Sequence, residues 1–267
     1  MDTQSDTTSR KGTGRDRLKS LFELALVFTI IPTVIGFFAA QHHIAELSVH
    51  FKVLYWWSAL LSTLGLALLR HWRWCIPGLI VLLIHSAGIV SWYWPRSVDA
   101  LGDVAPNLTI VSANVLTDNT TPEKVIDYIR STEPDIVLLQ EVSPKWVALL
   151  QPLIDSEYPH SLLEPQTDNF GMGTLSKIPL DSLTVIDPLG WSIPVIEAKL
   201  TLNGRTLSVL NYHPLPPGGA EYVKLRNEQL AYVATYAQAQ PDLCIIAGDF
   251  NVTPWSPYYR SMVEDSG

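Results

Sequence analysis

Three apolar stretches limit what this chain can fold into. Leu21–Ala40 reads LFELALVFTIIPTVIGFFAA, Phe51–Leu69 reads FKVLYWWSALLSTLGLALL, and Trp74–Trp94 reads WCIPGLIVLLIHSAGIVSWYW. Each runs about 20 residues, which at about 1.5 Å per residue matches the roughly 30 Å hydrocarbon core of a bilayer. Tyr55, Trp56, Trp57, Trp72, Trp74, Trp92, Tyr93 and Trp94 gather near their ends. An apolar ring with a polar tip suits the headgroup layer. The competing reading is a buried helical bundle, and three such runs nearly free of charge weigh against it. Twenty apolar residues also exceed the core of a cleaved signal peptide, and two further spans follow, so the first is read as retained.

Orientation follows from Lys and Arg, which favour cytoplasmic loops. Arg10, Lys11, Arg15, Arg17 and Lys19 precede the first span, and Arg70 and Arg73 lie between the second and third. The first loop has Lys52 alone, and Arg96 follows the third span. The expected plan is a basic cytoplasmic N-terminus over 1–20, a three-span region over 21–95 and a linker over 96–106. A domain over 107–267 would then stand outside the cytoplasmic membrane, periplasmic or extracellular. His85, mid-span, is read as packing or an interhelix hydrogen bond.

The polypeptide changes character near residue 104. Residues 1–104 carry 9 Lys/Arg against 7 Asp/Glu, while residues 105–267 carry 9 against 19. The second part is therefore at −10, without the basic footprint that polyanion binding uses. Only Cys75 and Cys244 occur, both in apolar runs. That excludes a disulfide framework and a cysteine metal cluster, and Cys244 reads as buried strand filler.

In the acidic part, LTIVSANV from Leu108 reads as a strand. Thr121-Pro122-Glu123 opens a helix, with Thr as cap and Pro in its first turn. DIVLLQEV (135–142) reads as a buried strand and PKWVALLQPLI (144–154) as a second helix. Strands follow around 170–177, 182–187 and 193–202. Asn203-Gly204 turns the last of these into RTLSVLNYH (205–213). A helix over 220–238 keeps Val223, Leu230, Val233 and Ala237 on one face, LCIIAGDFN follows, and a short helix begins near Ser256. Strands alternating with helices argue an α/β layered fold.

Each apolar run ends in an uncompensated polar group: Asn114, Glu141, His213, then Asp249 and Asn251. Strand ends on one side of a sheet converge, so these residues can build one pocket. Oxygen donors without cysteine suit Mg²⁺ or Mn²⁺, which binds through one or two carboxylates and keeps waters. Blander readings exist. Asp249 and Asn251 could form an Asx turn, Glu141 could pair with Lys145, and His213 could sit in a surface loop.

Asn114 in SANV, Glu141 in LLQEV, the run GMGTLSKIP from Gly171, His213 in NYHPLPP, and Asp249 and Asn251 in AGDFN carry a resemblance. Together, over about residues 107–263, they resemble the endonuclease/exonuclease/phosphatase superfamily, the DNase I-like phosphoesterases. With the preceding spans, the chain is similar to bacterial membrane-anchored members. The resemblance implies a four-layered α/β sandwich that hydrolyses a phosphoester or phosphoanhydride with a divalent metal. By the same resemblance Glu141 holds the metal, and Asn114 assists it while contacting the phosphate. Asp249 orients or deprotonates the attacking water, Asn251 steadies phosphate oxygens, and His213 binds phosphate and favours departure of the leaving group.

Two features depart from the family pattern. No Asp-His dipeptide occurs, although the family's last strands end in one, and Lys199 is a weak match for its basic residue. The chain is therefore expected to be a C-terminally incomplete member, inactive as it stands. The alternative is a natural phosphate-binding membrane protein without catalysis. Charge and location favour a lipid-linked phosphate or pyrophosphate, or scavenged nucleotides, over the family's best-known target, DNA or RNA.

Overall fold

The computed structural model describes residues 13–94, 108–187 and 189–267. They form two compact units, one helical and one α/β. The expected linker over 96–106 and residues 1–12 of the basic N-terminus lie outside the described residues.

The helical unit comprises α1 (Gly14–Gly36), α2 (His43–Val49), α3 (Lys52–Leu68) and α4 (Trp72–Tyr93). Thr13 and Asp16 make a capping box: the Asp16 amide donates to the Thr13 hydroxyl, and the Thr13 amide donates to the Asp16 carboxylate. Two orphan donors are thereby satisfied, and the helix starts before the apolar stretch does. Arg15, Arg17 and Lys19 consequently ride on α1 rather than in a tail. Three uniform spans are also not what forms. Among the described residues, only α1 and α4 are individually long and apolar enough to cross a membrane. The middle stretch is α3, 17 residues long, preceded by α2 at a 60° bend, and the pair counts as a third span only if taken together. At the break Phe51 leaves helical geometry, at φ −94°, ψ 18°. Leu26, Ala59, Leu66, Cys75 and Val81 form the unit's core. Thr33 Oγ1 lies 2.9 Å from His85 Nε2, an interhelix hydrogen bond.

The α/β unit runs β1 (Ile110–Asn114), α5 (Pro122–Thr132), β2 (Ile136–Gln140), α6 (Pro144–Glu157), β3 (His160–Glu164) and β4 (Met172–Ser176). It continues through β5 (Ser182–Ile186), β6 (Val195–Leu202), β7 (Arg205–Tyr212), α7 (Ala220–Gln238), β8 (Leu243–Gly248) and α8 (Pro257–Asp265). One sheet has the order β1-β2-β4-β3 and the other β5-β6-β7-β8. The pairs β1–β2 and β7–β8 are parallel and the rest antiparallel. Strand β3 escaped the sequence reading, because all five of its residues are half-buried and its polar ends blur any alternation.

Period-two alternation explains the layering. On β2, Ile136 and Leu138 meet Ala198, Leu200, Leu207 and Val209 between the sheets. Val137 and Leu139 point the other way, into a core with Ile129 of α5 and Trp146, Leu150 and Leu153 of α6. On β7, Leu210 and Tyr212 pack against Leu230, Val233 and Ala234 of α7 and Met262 of α8. The result is a mixed α/β sandwich, with helices outside two facing sheets. Thr121 precedes α5 with Pro122 in the first turn, but it makes no side-chain cap. Its hydroxyl and amide turn back to the Asn119 carboxamide instead.

Candidate active site

Because β1–β2 and β7–β8 are parallel pairs, the C-terminal ends of all four strands can lie on one side. The alternation fixes which side chains meet there. Asn211 and His213 continue the inter-sheet face of Leu207 and Val209, and Asp249 continues that of Leu243 and Ala247. Glu141 should point away from this face, since Gln140 already occupies it. Left-handed backbone at Glu141, φ 63°, breaks the alternation and returns the carboxylate to the inter-sheet end. Such a conformation in a non-glycine residue costs roughly 1–3 kcal/mol and persists only where its surroundings hold it.

Those surroundings are explicit. Asn114 Nδ2 donates to Glu141 Oε1 at 2.7 Å and to Asp249 Oδ2 at 3.1 Å, so one carboxamide joins two carboxylates. The Thr117 amide donates to Glu141 Oε2 at 3.2 Å, and the Leu116 amide fixes Asn114 Oδ1 at 3.0 Å. Gly171 lies so close to the chain after Glu141 that a Cβ there would meet the Val142 carbonyl at 1.9 Å. Gly248, at φ 149°, lets the chain pass the Tyr212 carbonyl, which a Cβ would likewise meet at 1.9 Å. Only glycine brings Asp249 in beside β7.

Beyond Asp249 the chain makes an Asx turn. The Asn251 amide donates to Asp249 Oδ1 at 3.0 Å, Asn251 has φ 51°, and its Nδ2 donates to the Pro214 carbonyl at 2.9 Å. The turn thus coexists with the cluster rather than replacing it. Lys145 reaches the Asn119 carbonyl, not Glu141. His213 is buried at 3% exposure, against the Phe170 ring. Burial holds its imidazole below the usual histidine range, opposed by the nearby Asp249 and Glu141 carboxylates. Lys199 lies elsewhere, on the helix-facing side of β6, 3.3 Å from Glu197. Within the site, Glu141 and His213 are buried, Asp249 and Asn251 half-buried, and Asn114 exposed, so solvent reaches it from the Asn114 side.

Three supporting residues were not singled out from sequence. Gln140 and Asn211, 1% and 0% exposed, precede Glu141 and His213 on facing strands. Gln140 Nε2 donates to Asn211 Oδ1 at 2.7 Å, and Asn211 Nδ2 donates across to the carbonyls of Leu139 and Gly173. Arg226 of α7 is fully buried and donates from Nη1 to the Asn251 carbonyl at 3.2 Å. Its signal was present in the pattern, since position 226 falls on the apolar stripe 223, 230, 233, 237, where a charge demands a partner.

Among the described residues, no three His, Cys, Asp or Glu side chains gather into a metal site. The residues present still fit a hard divalent ion. Two carboxylates share one amide with no Lys or Arg side chain among the described residues bonded to either, and Mg²⁺ characteristically takes one or two carboxylates and several waters.

Facing sheets between helices, with carboxylates, an imidazole and carboxamides at the ends of four strands, define an α/β-sandwich protein with a polar site at its strand ends. A family model described as Endonuclease/Exonuclease/phosphatase family matches residues 111–267, more than half the chain, and the chain belongs to that family. No curated protein matches it. Solved structures similar to it include D. rerio TDP2 humanized by 14 mutations, at 23% identity over 60% of this chain and 66% of that one, TM-score 0.48. Sphingomyelinase C from Streptomyces griseocarneus is similar at 19% identity, over 61% and 70%, TM-score 0.49. D. rerio TDP2 complexed with single strand DNA product is similar at 22% identity, over 60% and 64%, TM-score 0.46. The chain thus spans just under two thirds of these TDP2 chains.

Proposed function

We propose that the α/β unit hydrolyses phosphoester bonds with the aid of a divalent cation, Mg²⁺ or Mn²⁺. We further propose that the helical unit anchors it to the cytoplasmic membrane, with the α/β unit on the outer side. The observation that supports hydrolysis is the Asn114 carboxamide bridging Glu141 and Asp249 beside buried His213. Glu141 and Asn114 would hold the cation, which when bound neutralises phosphate charge and polarises the scissile bond. Asp249, tethered by the amides of Asn114 and Asn251, orients an attacking water and takes its proton. Asn251 has a second amide hydrogen to steady a phosphate oxygen. His213 binds phosphate and favours departure of the leaving group. Phosphoryl transfer asks for this combination, charge neutralisation and an aligned water, more than for a covalent nucleophile.

The family description names endonucleases and exonucleases beside phosphatases, so phosphodiesters of DNA and RNA are the first substrates to assay. Lipid-linked pyrophosphates and nucleotides follow, on the argument of an acidic unit beside a bilayer. The test uses the full chain in detergent, with bis(p-nitrophenyl) phosphate, then single-stranded DNA, RNA and a lipid pyrophosphate. Mg²⁺-dependent release is expected, abolished by EDTA. Glu141→Gln should lower it by about 10²–10³, the cost of losing one charge-stabilising group at a reacting centre. Equal rates in EDTA or in Glu141→Gln sink the reading.

A further inference from the structure

Among the described residues, the helical unit carries five of its six Lys and Arg at one end, Lys52 being the exception. Arg15 Nη2 donates to the Leu69 carbonyl at 3.1 Å, and Glu23 lies 2.8 Å from His71. These two contacts bring the start of α1 against the turn between α3 and α4. Arg15, Arg17 and Lys19 come from α1, Arg70 from the turn and Arg73 from the first turn of α4. Two carboxylates stand nearby, and both are engaged: Asp16 in the capping box and Glu23 with His71. A cleft of about 400 Å³ opens here, lined by His71, Arg73, Trp74 and Pro77. Its size falls in the range of about 300–1,000 Å³ typical of small-ligand sites.

The walls are of two kinds. Arg73 presents a planar fork of donors that matches phosphate oxygens, while Trp74 and Pro77 are apolar. From the cleft, Ile76, Ile80 and Leu83 continue along one face of α4 at helical spacing, 65%, 53% and 70% exposed. A free phosphate ion has no use for that stripe, whereas an acyl chain does.

Resting on the membrane reading above, we infer that this cleft binds the phosphate of an anionic phospholipid. The headgroup meets Arg73, and the chains run along Ile76, Ile80 and Leu83. Cationic side chains near an anionic leaflet attract it, so Arg70 and the α1 cations hold the lipid near the fork.

Two measurements on the full chain separate this inference from its premise. Alkaline carbonate extraction of membranes tests anchoring, and the chain is expected to stay in the pellet. Release would overturn the membrane reading and this site with it. The second measurement reconstitutes the full chain in nanodiscs of phosphatidylcholine with one fifth phosphatidylglycerol, then counts retained lipids by native mass spectrometry. Wild type is expected to retain phosphatidylglycerol over phosphatidylcholine at about tenfold the ratio supplied in the disc. Arg73→Gln should cut that enrichment about fivefold, and Arg205→Gln, in the α/β unit, should leave it intact. A carbonate-resistant chain without enrichment, or an unaltered Arg73→Gln, overturns the lipid site alone. Displacement of the lipid by millimolar inorganic phosphate would overturn the lipid as occupant in favour of a free anion.

Discussion

Gln140 and Asn211 sit one and two residues before Glu141 and His213, and both are buried. A buried carboxamide that loses its partner costs about 1–3 kcal/mol, more than the net worth of the bond itself. Here the pair also ties the ends of β2 and β7 together, since Asn211 spans to carbonyls of β2 and β4. Gln140→Leu and Asn211→Leu should each destabilise the chain by about 1–3 kcal/mol in thermal unfolding. The double variant should lose at least about 0.5 kcal/mol less than their sum, because one truncation already orphans the other amide. Strict additivity would show that the two do not act as a pair. At this scale sequence was informative about the side chains at the strand ends and silent about the carboxamides that tie those ends together. Asn114, Glu141, His213 and Asp249 stand out as polar interruptions at the ends of apolar runs. Gln140 and Asn211 read as ordinary neighbours, because nothing local marks which polar residue turns inward.

Among the elements, α7 links the core to the site. Its apolar stripe carries Leu230 and Val233 into the core and, at the same helical spacing, delivers Arg226 beneath the Asp249–Asn251 turn. Arg226→Met keeps most of the volume and removes the donor to the Asn251 carbonyl. A loss of about 1.5–3 kcal/mol is expected, the range for hydrogen bonds from charged groups. Arg226→Ala should cost more, since it also leaves a cavity. A melting temperature unmoved in Arg226→Met would refute the support assigned to it. The long α7 and the Asn203-Gly204 turn, with positive φ at both residues, were legible in sequence. Strand β3 and the bend between α2 and α3 were not, since each depends on neighbours rather than on its own pattern.

For the whole molecule, the question is which way the helices cross. If α2 and α3 act as one span, the proposed orientation puts the loop after α1 and the chain after α4 on the outer side and the turn at Arg70 on the inner side. An alkaline phosphatase reporter, active only after export, should be active when fused after Gln41 or Trp94 and inactive after Arg70. Activity after Arg70 would reverse the orientation and place the α/β unit inside.

Composition and pattern alone, by strict local rules, determined much of this protein: the apolar helices, the acidic α/β unit, the alternation that builds two sheets, and the polar groups at the strand ends. Hydrophobic period and turn chemistry act over a few residues, so they can be read along the chain. Tertiary structure alone decided that Glu141 turns back through a left-handed residue and shares one amide with Asp249, 108 positions further on. It alone set Arg226 beneath that turn and closed the α1 cations onto the α3–α4 turn. Those arrangements depend on contacts between distant segments, whose geometry is fixed only when both sheets and their helices pack.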